Sequence, residues 1–275
     1  MVETAPQAGS VTDLTLDNFF SESWEQPFAR RDRGNETPEL QLPRVQDASV
    51  EQLLRLHYEL EDERRAFSYE SIHYLEADVY LALNRRLMMG LAFEYEWVEP
   101  RPGFREREGF AEALVTKLQL VDTAHSSYSF TFDAQAPNTN IGNRQSVLGF
   151  GLAGWNDLAP WGLPKTGLYY SVIEDTFCGP ARSDGLRNEI VYSMALARTW
   201  NVPGPACVRD FTTFMAVSAT SALDGLPKNR TNASITPGVR IDLCGHQALV
   251  LGVDLPVTSP RLYEAVYRFS YLYSF

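Results

Sequence analysis

Three cysteines and four histidines are all that the 275 residues contain. Cys178, Cys207 and Cys244 are too few for a disulfide scaffold, and His57, His73, His125 and His246 are dispersed, so no zinc-ligand spacing appears. Gly-rich phosphate loops are lacking too, and no metal or cofactor is expected. No run of about 18 apolar residues occurs, which excludes a membrane-spanning helix. Basic residues are in deficit, 24 Lys and Arg against 35 Asp and Glu, for a net charge of −11. That argues against a nucleic-acid partner and against polybasic docking on an anionic surface. The opening Met1-Val2-Glu3 lacks the basic-then-apolar start of a signal peptide, so an exported form is expected to be mature or trimmed.

What the chain does have is alternation. Residues 1–47 are polar, acidic and Pro-containing, with one aromatic knot at Phe19, Phe20, Trp24 and Phe28. From about Val50 onward, apolar residues fall on every second position in twelve segments. Leu54, Leu56, Tyr58 and Leu60 oppose Arg55, His57 and Glu59; Leu87, Met89, Leu91, Phe93, Tyr95 and Trp97 oppose Met88, Gly90, Ala92, Glu94 and Glu96. A period of two is the signature of a β-strand with unlike faces. The segments run about 9–13 residues, the length a tilted strand needs to cross a bilayer, whereas soluble strands average about five or six. The expected fold is all-β: a closed antiparallel transmembrane β-barrel of about 12 strands over residues 48–275, with residues 1–47 an irregular extension.

The last strand is the most telling. Tyr267, Phe269, Tyr271, Tyr273 and Phe275 alternate with Arg268, Ser270, Leu272 and Ser274. In a soluble protein such an edge invites aggregation, but a barrel pairs it with the first strand and turns its aromatics to lipid. This ending resembles the C-terminal strand of bacterial outer-membrane β-barrels, which finishes on Phe and is read by the insertion machinery. The resemblance reaches the architectural class, with no subfamily identified. It implies a bacterial outer-membrane location, with lipids and the barrel assembly machinery as partners. An even strand count puts both termini on one side, the periplasm by analogy. Connections near 84–86, 122–126 and 244–247 are short, and those near 61–69, 99–110, 137–145, 178–188, 222–232 and 256–262 are longer and polar, as this orientation requires; two on the periplasmic side, 156–165 and 201–208, are longer than the rule expects but rich in Pro and Gly.

The polar face is then a wet lumen, since burying its ions in a dry core would cost several kcal/mol, on the order given for desolvation. Lumen-lining residues are expected to be Arg55, Glu59, Glu76, Asp78, Glu94, Glu96, Lys117, Asp133, Arg240, Asp242 and Arg268. Strands near 147–153, 190–198 and 211–220 offer mainly Gly, Ala, Ser and Thr, which leaves space opposite the charged wall. An aromatic girdle at the lipid–water boundary is expected from Trp97, Trp155, Trp200, Tyr271, Tyr273 and Phe275.

Two functions are consistent with this pattern. The first is a small channel or porin for ions or small solutes, weakly cation-favouring because acids outnumber bases in the lumen. The second is a structural barrel that anchors a periplasmic or surface complex through its N-terminal segment, with Phe19, Phe20, Trp24 and Phe28 docking on the partner or the segment plugging the barrel. An enzyme is not expected. His125 and Ser127, with Asn138 or Asn140, loosely resemble the His-x-Ser and Asn of outer-membrane phospholipase A, but both fall on the lumen-facing parity at a short turn, where such residues serve turn chemistry. Cys207 begins one strand and Cys244 ends the next, so an antiparallel pairing brings them together, and a disulfide is expected in an oxidising compartment.

Overall fold

A computed structural model of the chain describes residues 12–28, 45–63, 69–103, 107–137, 145–179, 185–201, 207–244, 246–259, 261 and 263–275. The alternating segments form twelve strands: β1 Leu53–Glu63, β2 Tyr69–Ala82, β3 Leu87–Pro100, β4 Arg107–Asp122, β5 Ser126–Gln135, β6 Ser146–Asp157, β7 Thr166–Cys178, β8 Asn188–Asn201, β9 Val208–Ala222, β10 Thr231–Leu243, β11 Gln247–Pro256 and β12 Tyr263–Ser274. Each pairs antiparallel with its sequence neighbours, and β1 pairs with β12 to close the barrel. At the seam Leu56 stands opposite Tyr271 and Tyr58 opposite Phe269, as the aromatic terminus suggested. Closure leaves no free edge, so every strand finds its ladder partners within the chain.

Strand parity is kept around the wall. Leu91 on β3 is 52% exposed while its neighbour Ala92 is buried, and Leu152 on β6 is 57% exposed between buried Gly151 and Ala153. Leu56, Leu75, Met89, Phe93, Phe150, Met194, Met215 and Phe269 continue this apolar outer band. Each such side chain gains about 1.5–3 kcal/mol when it leaves water, so the band suits hydrocarbon. Register matters because a one-residue slip would turn this band inward and the charged set outward.

Five connections gather at one end of the barrel, hereafter the turn end, three of them tight (83–86, 123–125 and 244–246) and two longer (158–165 and 202–207); both described termini of the wall, Leu53 and Ser274, lie there. One of them, between β6 and β7, folds as a single 3-10 turn, Ala159–Trp161, closed by Gly162 at φ 84°. A side chain at Gly162 would adopt that φ only with strain. The other six connections form the long-loop end.

The interior is not hollow throughout. Trp155, Tyr169 and Phe214 project inward from β6, β7 and β9 and pack with Ala153, Ala195, Ala197, Ala216, Ala248, Val250 and Leu272. Small residues on neighbouring strands make room for these rings. At Gly238 on β10 an added Cβ would lie 2.0 Å from Phe214 Cζ, so the ring occupies the space a side chain would need. Space predicted from the small-residue wall is therefore partly taken by large rings on the same strands.

A plugged acidic lumen as candidate functional site

The N-terminal segment builds two layers at the turn end. The outer layer is residues 12–28. Leu14 exchanges both backbone hydrogen bonds with Asp122 at 2.9 Å and is fully buried. The β2–β3 turn supplies two arginines that hold the rest. Arg86 donates from Nη2 to the Asn18 carbonyl at 3.0 Å and to Asn18 Oδ1 at 2.9 Å, and from Nε to the Glu22 carbonyl at 2.7 Å. Its guanidinium also lies 4.8 Å from the centre of the Phe19 ring, within cation–π range. Arg85 donates to the Thr12 carbonyl at 2.8 Å and to Ser23 Oγ at 3.2 Å. A guanidinium has five donors in a fixed fork, which is why two residues can bind a whole segment through its carbonyls.

The inner layer is residues 45–52, which run inside the barrel before entering β1. Val45, Ala48 and Leu53 join the buried cluster around Trp155 and Tyr169. Lys117 on β4 donates from Nζ to the carbonyls of Asp47 at 2.7 Å and Ser49 at 2.9 Å. Gln119, two residues along the same lumen face, accepts from the Val50 amide at 3.1 Å, and Ser127 on β5 donates to the Ala48 carbonyl at 3.3 Å. The wall thus satisfies the plug's backbone polar groups, as burial demands.

Beyond the plug lies a cavity of about 330 Å³, lined among others by Asp47, Glu51, Arg55, Glu76, Lys117 and Asp133. Its basic groups are committed. Lys117 holds the plug, and Arg55 pairs with Asp78 and, at 3.0 Å, with Glu76. Arg268 binds Asp254 on β11 through Nη2 at 2.6 Å and Nε at 2.8 Å, and pairs across the seam with Glu59. Arg240 pairs with Asp242 at 2.8 Å. The acids are more numerous. Glu94 stands opposite Glu76 on the next strand, and Asp175 stands opposite Glu189. Asp133 Oδ1 is buried without a hydrogen-bond partner, and its carboxylate lies over Gly149, where an added Cβ would be 2.3 Å from Oδ2. Parity alone places Asp175 and Glu189 on the lumen face; softer alternation in β7 and β8 hid them.

Two histidines with serines nearby lie on the lumen side of the wall and at a turn. His57 meets Ser270 Oγ through Nδ1 at 2.7 Å and Glu59 through Nε2 at 2.6 Å, but His57 and Ser270 are 1% exposed and Glu59 is also held by Arg268. This trio orders charge within the wall. His125 turns away from Ser127 and pairs with Asp157 at 2.9 Å, while Ser127 is buried against the plug. Asn138 and Asn140 lie outside the described residues.

No protein-family model matches the sequence, and no curated protein matches it. Solved structures do resemble the chain. The KdgM porin aligns over 81% of this chain and 99% of its own, at 11% identity and a TM-score of 0.51. The COG4313 outer membrane channel from Pseudomonas putida F1 aligns over 86% of this chain and all of its own, at 12% identity and a TM-score of 0.53. The β domain of the Bordetella autotransporter BrkA aligns over 82% and 100%, at 13% identity and a TM-score of 0.54. The fold is that of a bacterial outer-membrane β-barrel. At these identities the likeness concerns fold and carries no role for individual residues.

Within that outer-membrane barrel fold, the expected girdle divides. Trp200, Tyr273 and Phe275 are 46%, 39% and 53% exposed at the turn end, and Tyr271 is half-buried on the same face. Trp97 faces outward at the long-loop end, stacked on His73. Trp155 is a correction: it is 1% exposed and packs inside the barrel. Its position near a strand end suggested the girdle, but it shares the parity of inward Gly149, Gly151 and Ala153. Of the aromatic knot, Phe19 stacks edge-on against Phe20 and Trp24, and Phe28 packs on Val50, Ala82 and Met88, while Phe20 remains 91% exposed. Cys207 and Cys244 meet as thiols, Sγ to Sγ 3.2 Å, beside a 3.0 Å backbone bond from the Cys244 amide to the Cys207 carbonyl. That contact raises the Cys207 thiol above its ordinary pKa, because the thiol hydrogen bond favours the neutral form.

Proposed function

We propose that this chain is an outer-membrane channel that carries its own plug and favours cations when the plug yields. The channel reading is supported by the fold and the apolar outer band. The observation that carries it is the arrangement around the 330 Å³ cavity: an acid-rich lumen blocked at one end by residues 45–52. The plug is held by hydrogen bonds with Lys117, Gln119 and Ser127 and by the burial of Val45, Ala48 and Val50, and in this reading it is the element that moves. With the arginines engaged, the fixed charge facing a passing ion is negative, and such a path attracts cations and repels anions. The turn end, which bears the plug and both termini of the wall, faces the periplasm in this reading, by the rule that inner turns are short and outer loops long.

A second reading is favoured by one observation. Phe20 projects from the cap at the turn end with nearly its whole side chain in solvent. A large exposed aromatic on an otherwise ordered segment suits an anchoring barrel that docks a periplasmic protein.

Single-channel recording in planar bilayers under a salt gradient tests the first reading with the full chain. Conductance steps with a reversal potential of cation sign are expected. A full chain that inserts yet stays silent at all voltages, or one that reverses with anion sign, contradicts it.

A further inference from the structure

The outer surface of the barrel carries a polar cluster at the long-loop end that the lumen does not use. On β2 and β3 the odd-numbered residues point outward, as exposed Leu75, Leu81 and Leu91 show. The ladder sets Ser71 opposite Glu99 and His73 opposite Trp97. Ser71 Oγ lies 3.1 Å from His73 Nε2 and donates to Glu99 Oε2 at 2.9 Å, while Glu99 Oε1 is 3.3 Å from the same Nε2. On the other side of the ring, Tyr58 Oη is 2.8 Å from His73 Nδ1. The Trp97 ring lies over the imidazole, with centroids 4.6 Å apart and planes within 4°. The histidine is thus fixed at both nitrogens and on one face. Its serine and carboxylate neighbours face outward, and Glu99 is 59% exposed.

Ionisable groups on a lipid-facing surface are expensive and are kept near the interface or for function. Rim aromatics need no serine and carboxylate gathered on one imidazole nitrogen. We propose that Ser71, His73 and Glu99 form an esterase site that cleaves acyl esters of lipids in the leaflet at the long-loop end. The Ser71 hydroxyl turns from Glu99 to His73 Nε2, and Oγ attacks the ester carbonyl carbon as its proton passes to Nε2, in the tautomer whose Nδ1–H donates to Tyr58 Oη. The carbonyl carbon–alkoxy bond then breaks, and His73 protonates the departing alkoxide. Water attacks the acyl-serine, giving its proton to His73, which returns it to Ser71; the sum is ester plus water to carboxylic acid plus alcohol. The Glu99 carboxylate stabilises the transient imidazolium. Tyr58 is a positioning residue. Exposed Leu56 and Leu75, nearer the middle of the same face, form the apolar wall along which an acyl chain would lie. With the oxyanion left to interfacial water, slow turnover is expected, since one fixed oxyanion donor is worth roughly 10²–10³ in rate.

This inference shares with the channel reading only the premise that the outer band meets lipid. The test uses the full chain in detergent micelles, with a fluorophosphonate probe and, separately, vesicles of dioleoyl phosphatidylcholine. The expected results are covalent labelling mapped to Ser71 and fatty-acid release, with both lost in Ser71→Ala and reduced roughly 100-fold or more in His73→Asn. Both substitutions lie on the outer face, and a heat-modifiable gel shift checks that the barrel is intact. An intact wild type that takes no label and releases no fatty acid overturns the proposal, as does activity that His73→Asn leaves unchanged. Conductance measured on the same preparation separates its failure from failure of the channel reading.

Discussion

The Lys117 ammonium, on the barrel wall, donates to the backbone carbonyl of Asp47, in the plug, at 2.7 Å. A second donation, to the Ser49 carbonyl at 2.9 Å, gives this one side chain two polar ties to the plug. Hydrogen bonds to charged groups are each worth about 1.5–3 kcal/mol. Lys117→Met keeps the apolar stem and removes the donors, so the plug should open roughly 10-fold or more often. Hydrogen exchange of the amides at 46–51 should accelerate accordingly in the variant while β12 amides keep their protection. Equal protection of the plug in both proteins would show that Lys117 does not hold it.

Arg268 on β12 ties its strand to both neighbours, to Glu59 across the seam and to Asp254 on β11. Asp254 is fully buried and receives two of the arginine's donors as well as Thr236 Oγ1 at 2.5 Å. Removing one partner of a buried ion pair costs about 3–5 kcal/mol, chiefly through the charge left behind. Arg268→Met should therefore lower the temperature of the heat-modifiable gel shift, and adding Asp254→Asn should recover part of the loss. If the double variant is no better than the single one, the stranded carboxylate is not the cause.

Cys207 and Cys244 are placed to form a disulfide at the turn end. A disulfide-bearing oxidant, itself reduced to a dithiol, would accept the two electrons and two protons released. Mild oxidation by a disulfide reagent should link these two residues and leave Cys178 alkylatable, as peptide mapping would show. In the reduced protein the raised pKa of the Cys207 thiol should make its alkylation slow at neutral pH. Oxidation that couples Cys178 to either residue would contradict the placement.

Between β9 and β10, Asp224 latches the start of β8, accepting from the amides of Arg187 at 2.6 Å and Asn188 at 3.2 Å and from Asn188 Nδ2 at 2.7 Å. These donors, the Arg187 amide first, hold its carboxyl below the usual range. The latch is present in full above the unfolded pKa of about 3.9 and is lost as pH falls through the lower folded value. A titration followed by the Asn188 amide shift should have its midpoint below about 3.9. A midpoint at or above that value would show the latch is not formed.

The wall was legible in the sequence because a barrel strand exposes its two faces to different solvents, so parity is written in every second residue. Leu54 and Leu56 against Arg55, or Tyr267 and Phe269 against Arg268, fix both strand and face. What fills the lumen is written less clearly. Trp155 has the parity of Gly149 and Ala153, but a tryptophan near a strand end suits the girdle equally well by type, and only packing against Tyr169 and Val45 decides. The plug over 45–52 is invisible to periodicity, since it is held through backbone carbonyls and an amide that any residue supplies. Ser71 and His73 are neighbours on one outward face of β2, but Glu99 joins them only through the β2–β3 register, which periodicity does not reveal.

In the channel reading, the plug governs conduction. The direct measurement is paired single-channel recording of the wild-type chain and Lys117→Met under identical voltage and a salt gradient. Brief, infrequent openings in the wild type and longer or more frequent ones in the variant, both with cation-sign reversal, are predicted. Identical open probability in the two proteins, or no openings in either, would contradict it.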